Sequence, residues 1–130
     1  MIKVNLFIGS RYPVNRKLIR KTAISVLEKY NVEHAQVDVS IVGAPKIKKL
    51  NEERLKHKGG TDVLSFPQHE KGQLDEFPMP KGEPPHLGDV VISFPKAVEQ
   101  AKRFGKLVDT QICYYLEHGL MHLLGYHHED

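Results

Sequence analysis

Four of the eight histidines fall within the last thirteen residues, in the stretch Glu117-His118-Gly119-Leu120-Met121-His122-Leu123-Leu124-Gly125-Tyr126-His127-His128. Imidazole is the commonest protein ligand for a transition metal, so the spacing of these rings decides what they can do. His118 and His122 are four apart. On a helix they stand on one face, one turn above the other, and both can reach a common ion. Gln111 and Tyr115 lie along that same face. Gly125 stands where a helix commonly ends in a left-handed residue, which would reverse the chain and bring His128 round as a third ligand. His127, its neighbour, can compete for that place. Three neutral imidazoles with an open fourth position describe a catalytic zinc site holding one Zn2+, because structural zinc is normally closed by four protein ligands that usually include cysteine. Cys113 does not close it. Five positions before His118, it projects about 140° round the helix from that residue and reads as a small core side chain. The plainer reading, a histidine pair that only makes hydrogen bonds on a buried helix, is weakened by the glycine stop and the third histidine beyond it.

A zinc ion in such a site lowers the pKa of its water to about 7 and polarises an ester or amide. Metallopeptidases of the His-Glu-x-x-His type carry their general base immediately after the first histidine. Here that position is Gly119. The pattern therefore supplies no carboxylate base, and a base elsewhere or the substrate's own groups must serve.

The elements that must position these residues can be read from periodicity. Ile2, Val4, Leu6 and Ile8 alternate with Lys3, Asn5 and Phe7, which predicts a half-buried strand. Helical spacing of Ile19, Ala23, Val26 and Leu27 predicts an amphipathic helix from about Pro13 to Tyr30 and Asn31, with Arg16, Lys17, Arg20 and Lys21 pointing elsewhere. Gln36 to Val42 alternates as a second strand, and Pro45 opens a short helix through Ile47, Leu50 and Leu55. Gly59 and Gly60 break it. Thr61 to Phe66 reads as a third strand stopped by Pro67, and residues 67–86, rich in proline, glycine and charge, read as a loop or loosely held hairpin. Leu87 to Phe94 supplies a fourth strand, Pro95 to Phe104 a helix, and Leu107 to Leu124 a final helix, apolar on most of its circumference and so expected to be buried. This order predicts an α/β (α+β) fold: a small four-stranded mixed sheet packed with helices, its buried C-terminal helix carrying the metal ligands.

With 130 residues, 40% of them hydrophobic and 27% charged, the chain suits a single domain, residues 1–130, with one core. The first strand is too short to span a membrane and has no cleavage site after it, and the lone cysteine fits a reducing compartment; a cytoplasmic protein with no membrane partner is expected. Charge is uneven. Residues 1–65 hold 13 Lys and Arg against 6 Asp and Glu, the remainder 6 against 10. A basic half suits a polyanionic partner such as nucleic acid, although solvated helix faces carry lysine for solubility alone.

The C-terminal stretch resembles the signature of the YbeY family of bacterial single-strand-specific endoribonucleases, His-Gly-x-x-His-Leu-x-Gly-Tyr-x-His. It matches at His118, Gly119, His122, Leu123, Gly125, Tyr126 and His128. Two further family segments follow the same order: Asn51 to Arg54 with Thr61-Asp62-Val63-Leu64-Ser65-Phe66-Pro67, and Leu87-Gly88-Asp89-Val90-Val91-Ile92-Ser93. The resemblance implies a zinc-dependent hydrolase of single-stranded RNA that acts in 16S rRNA 3′-end maturation and ribosome quality control, with 16S rRNA in ribosomal particles as its partner. It also implies a role in activity for Arg54, whose guanidinium stays charged and offers paired donors to phosphate; read without the resemblance, Arg54 is an exposed helix arginine. Lys46, Lys48, Lys49, Lys56 and Lys58 would add attraction to RNA that does not depend on its sequence. One departure is visible, since the family usually has aspartate where this chain has His127. Two rival readings are a zinc peptidase-like hydrolase and a non-catalytic, metal-stabilised ribosome assembly factor.

Overall fold

The computed structural model describes residues 1–54, 61–68 and 84–126. The end of the second predicted helix at Leu55, the glycine pair Gly59 and Gly60, most of the predicted loop, and both His127 and His128 lie outside the described residues. Among the described residues four strands and four helices follow one another as β1 (Ile2–Ile8), α1 (Arg16–Lys29), β2 (Ala35–Val42), α2 (Ala44–Arg54), β3 (Val63–Pro67), β4 (His86–Ser93), α3 (Phe94–Phe104) and α4 (Val108–Leu123). The mixed four-stranded sheet expected from the periodicity is present. Its order is β1-β2-β4-β3, with β1, β2 and β4 parallel and β3 antiparallel along one edge.

Local chemistry sets the helix ends. Asn15 caps α1 by accepting a hydrogen bond from the Leu18 amide at 3.0 Å, so the helix starts at Arg16 and Pro13 stays outside it. Ser93 caps α3 in the same way through the Lys96 amide, which gives this fully buried serine a structural task. Pro67, expected to stop β3, is its last residue and pairs with Gly88, a position an edge strand tolerates.

The two faces of the sheet are unequal. Val4, Val37, Val39, Val90 and Ile92 meet Ile19, Ala23 and Leu27 of α1 and Ile112, Leu116 and Leu120 of α4 in the main core. On the other face Leu64, Phe66 and Val91 form a smaller cluster with Ile47 of α2. α4 lies against β3, β4, α1 and α3, which makes it the central helix of the main layer. Gly119 lets it approach that closely: a Cβ there would stand 2.6 Å from Val90 Cγ1.

Candidate functional site

His118 and His122 lie side by side on one face of α4. The rings of His118 and His122 lie with centroids 4.6 Å apart and planes tilted by 41°. Both residues are half-buried, and His122 Nε2 is sealed from solvent. Gly125 takes φ 91°, the left-handed turn expected of it. Its amide donates to the His122 carbonyl at 3.0 Å, and the Tyr126 amide donates to the Met121 carbonyl at 2.9 Å. These two bonds are the Schellman arrangement that ends a helix and reverses the chain. Tyr126 then packs its ring 5.0 Å from Tyr30. His128 itself is beyond the described residues.

One turn before His118 on the same face stands Tyr115. Burial pushes its phenol up to about 12, an effect that Gln111 offsets in part and the Asp62 carboxylate reinforces. At neutral pH it is a fixed donor and cannot act as a base.

Arg54 ends α2 on the other side of the edge strand. Its guanidinium lies 4.1 Å from the centre of the Phe66 ring, a stacking contact. Phe66 belongs to the smaller core, whereas Val63 of the same strand faces α4 and Gly119. The imidazole pair and Arg54 therefore flank β3 from opposite faces. Being an edge, β3 has no further strand beyond it among the described residues.

A second group of metal-competent side chains was not singled out from the sequence. Asp38 and Asp89 are cross-strand neighbours on the α2 face, and with His86 they place three ligand atoms within 4.8 Å of one another. His86 Nε2 is 3.5 Å from Asp38 Oδ2, and Asn5 Nδ2 donates to Asp38 Oδ1 at 2.8 Å. Burial raises the Asp89 carboxyl above its ordinary value, the neighbouring Asp38 charge raises it further, and His86 and Arg54 pull it back. Strict alternation would put His86 and Asp89, three apart, on opposite faces of β4. A register shift pairs Gln36 with His86 but Val37 with Gly88, and the extra residue, Leu87, restores His86 to the Asp89 side. Nothing local in the sequence announces that shift.

Comparison with known proteins bears on which chemistry applies. The family model described as "Endoribonuclease YbeY" matches residues 10–130. A protein of that name from Persephonella marina is 36% identical over 128 residues, covering 98% of this chain and 78% of the relative. Its counterpart from Deinococcus radiodurans is 35% identical over 126 residues, covering 96% and 77%. The solution structure of TM1509 from Thermotoga maritima superposes with a TM-score of 0.60 at 24% identity, covering 99% of this chain and 75% of that one, a likeness of fold.

Proposed function

Since this chain belongs to the endoribonuclease YbeY family, we propose that it is a zinc-dependent, single-strand-specific endoribonuclease. Its substrate is ribosomal RNA, its setting the maturation of the 16S 3′ end within ribosomal particles in the cytoplasm. No described helix is long and apolar enough to cross a membrane. The observation that carries the reading is the adjacent pair His118 and His122 on a helix that ends in a chain-reversing turn at Gly125. These two imidazoles fit a divalent ion, and with His128 they would hold one Zn2+. Bound there, the ion supplies Lewis acidity at the phosphodiester and an acidified water.

The remaining work falls to the chain's own groups. Arg54, whose guanidinium lies against the Phe66 ring, would hold a phosphate of a strand running along the β3 edge, and its permanent charge suits the charge that develops on cleavage. Tyr115 stays protonated and can donate to substrate. The basic residues of α1 and α2 add long-range attraction to the RNA backbone. The peptidase alternative requires a glutamate at position 119, where even a Cβ collides with Val90. That side of α4 faces the sheet, so the missing base is a consequence of packing.

Two measurements test the reading together: elemental analysis of the purified protein, and cleavage of single-stranded RNA beside casein. One equivalent of zinc with RNA cleavage and intact casein is expected. The cluster of Asp38, His86 and Asp89 is the rival locus for the ion. Full metal content in His122→Ala with loss in Asp89→Asn would overturn the histidine assignment, cleavage indifferent to Arg54→Ala in a folded protein would remove Arg54 from the catalytic assignment, and zinc binding without any cleavage of RNA would leave the assembly-factor reading in its place.

A further inference from the structure

Toward the start of α4, before the imidazole pair, is a cavity of about 360 Å³ bordered by Asp62, Gln100, Phe104, Lys106, Gln111, Tyr114 and Tyr115. Its floor is unusual. Gln111 and Tyr115 are only 5% and 4% exposed, yet Gln111 Oε1 and the Tyr115 hydroxyl are buried there without a well-formed hydrogen bond, the hydroxyl lying near the Gln111 amide and the Asp62 carboxylate. Buried polar atoms are nearly always satisfied, and an unsatisfied pair lining a cavity marks a place that something else completes. The walls are of the opposite kind. Phe104 and Tyr114 are each 59% exposed, far more than large aromatic rings usually are, and Lys106 Nζ lies 5.5 Å from the centre of the Tyr114 ring.

A polar floor between exposed aromatic rings, with a cation at the rim, is how proteins take up single nucleobases. The rings stack on the base, buried polar groups read its edge, and the cation meets the phosphate. Position supports the same reading. Gln111, Tyr115, His118 and His122 follow one another at intervals of four, three and four residues, so the cavity and the imidazoles share one face of α4. At about 1.5 Å per residue Gln111 lies roughly 10 Å from His118 along the helix, the length of about three stacked nucleotides at 3.4 Å each.

We propose that this cavity is a base-recognition subsite of the nuclease, binding one nucleobase of the RNA strand a few nucleotides from the cleaved bond and preferring cytosine to uracil there. The inference rests on the endoribonuclease reading given above. The preference follows from the acceptors. Asp62 borders the cavity close enough to the Tyr115 hydroxyl to bear on its ionisation, and its carboxylate accepts hydrogen bonds whichever way the Gln111 amide is turned. The N4 amino group of cytosine donates to such an acceptor, while uracil presents the O4 carbonyl at that position and is repelled. The protonated Tyr115 hydroxyl donates to the O2 carbonyl that both bases carry, so it holds the ring without choosing between them.

The test measures equilibrium binding of the zinc-loaded protein to short single-stranded 2′-O-methyl oligocytidine and oligouridine by fluorescence anisotropy, alongside the cleavage assay. Both are pyrimidines, which keeps stacking comparable. Oligocytidine should bind at least about fivefold more tightly. Asp62→Asn, a change at a part-exposed residue, should bring the two within about twofold. Gln111→Leu should weaken the binding of both oligonucleotides by removing part of the polar floor, with zinc content and thermal midpoint checked against the parent in both variants. Equal affinities in the parent, a preference that survives Asp62→Asn, or affinities unmoved by Gln111→Leu overturns the subsite while RNA cleavage stands. If no oligonucleotide binds and no RNA is cut, the endoribonuclease reading falls and the subsite with it.

Discussion

Gly119→Ala sets two effects of opposite sign against each other. On an isolated helix alanine is favoured over glycine by about 1 kcal/mol, so propensity alone makes the variant more stable. In the folded protein the new methyl would stand 2.6 Å from Val90 Cγ1, 3.2 Å from Val90 Cγ2 and 3.5 Å from Val63 Cγ2. Carbon atoms pack at about 3.5–4.0 Å, so the overlap with the first of these is about 1 Å. Val90 cannot yield easily. It is β-branched, fully buried and paired on both sides within the sheet. Overpacking of this kind costs about 1–3 kcal/mol, and with overlap on both γ-methyls the upper half of that range applies. The net expectation is a loss of about 1–2 kcal/mol, seen as a fall in thermal midpoint of roughly 3–8 °C. Circular dichroism melts in a chelator-containing buffer measure this without the contribution of bound metal. A double-mutant cycle with Val90→Ala should show a favourable coupling of about 1–2 kcal/mol, because removing the γ-methyls makes room for the new one. A Gly119→Ala protein as stable as its parent or more so, with no coupling to Val90, would refute the close approach of α4 to β4, and with it the packing argument against a base at position 119.

Four other outcomes are expected. His118→Ala and His122→Ala should each hold well below one equivalent of zinc, read by elemental analysis, since each removes one of the proposed ligands. Arg54→Ala should lower RNA cleavage by about 10²–10³-fold, the usual cost of one transition-state donor, with zinc content unchanged. Arg54→Lys should recover little of it, because an ammonium cannot reproduce the planar contact with Phe66 or the paired donors. Tyr115 titrates at about 12 in the folded protein, above its ordinary value of 10.0. The unfolded chain therefore gives up the proton first, and the stability this group confers, complete below about 10, is lost as the pH rises toward 12. Tyr115→Phe should accordingly show a shallower alkaline fall in urea midpoint than the parent.

Much of the scaffold was legible from local signals. Alternation in Ile2–Ile8 and Gln36–Val42, helical spacing in α1 and α4, and the glycine stop at Gly125 each act within a few residues of chain, and the helices and strands followed them closely. Where boundaries moved, a cap or a pairing partner was responsible. Asn15 set the start of α1, and Gly88 drew Pro67 into β3. The adjacent imidazoles were legible for the same reason, since four residues on a helix is a local distance.

Other features depend on strands meeting across long stretches of chain, which no window of sequence contains. The insertion of β4 between β2 and β3 decides that Arg54 and the imidazoles flank one edge strand from opposite faces. The register shift at Leu87 turns His86 to the same side as Asp89, and only the parallel pairing of β2 with β4 brings Asp38 to both. The cavity before the imidazoles likewise needs Asp62 from the bend before β3, Phe104 from α3 and Gln111 from α4. Periodicity and capping are properties of neighbouring residues and can be read along the chain, whereas registry and burial against a distant element are settled only when the layers pack.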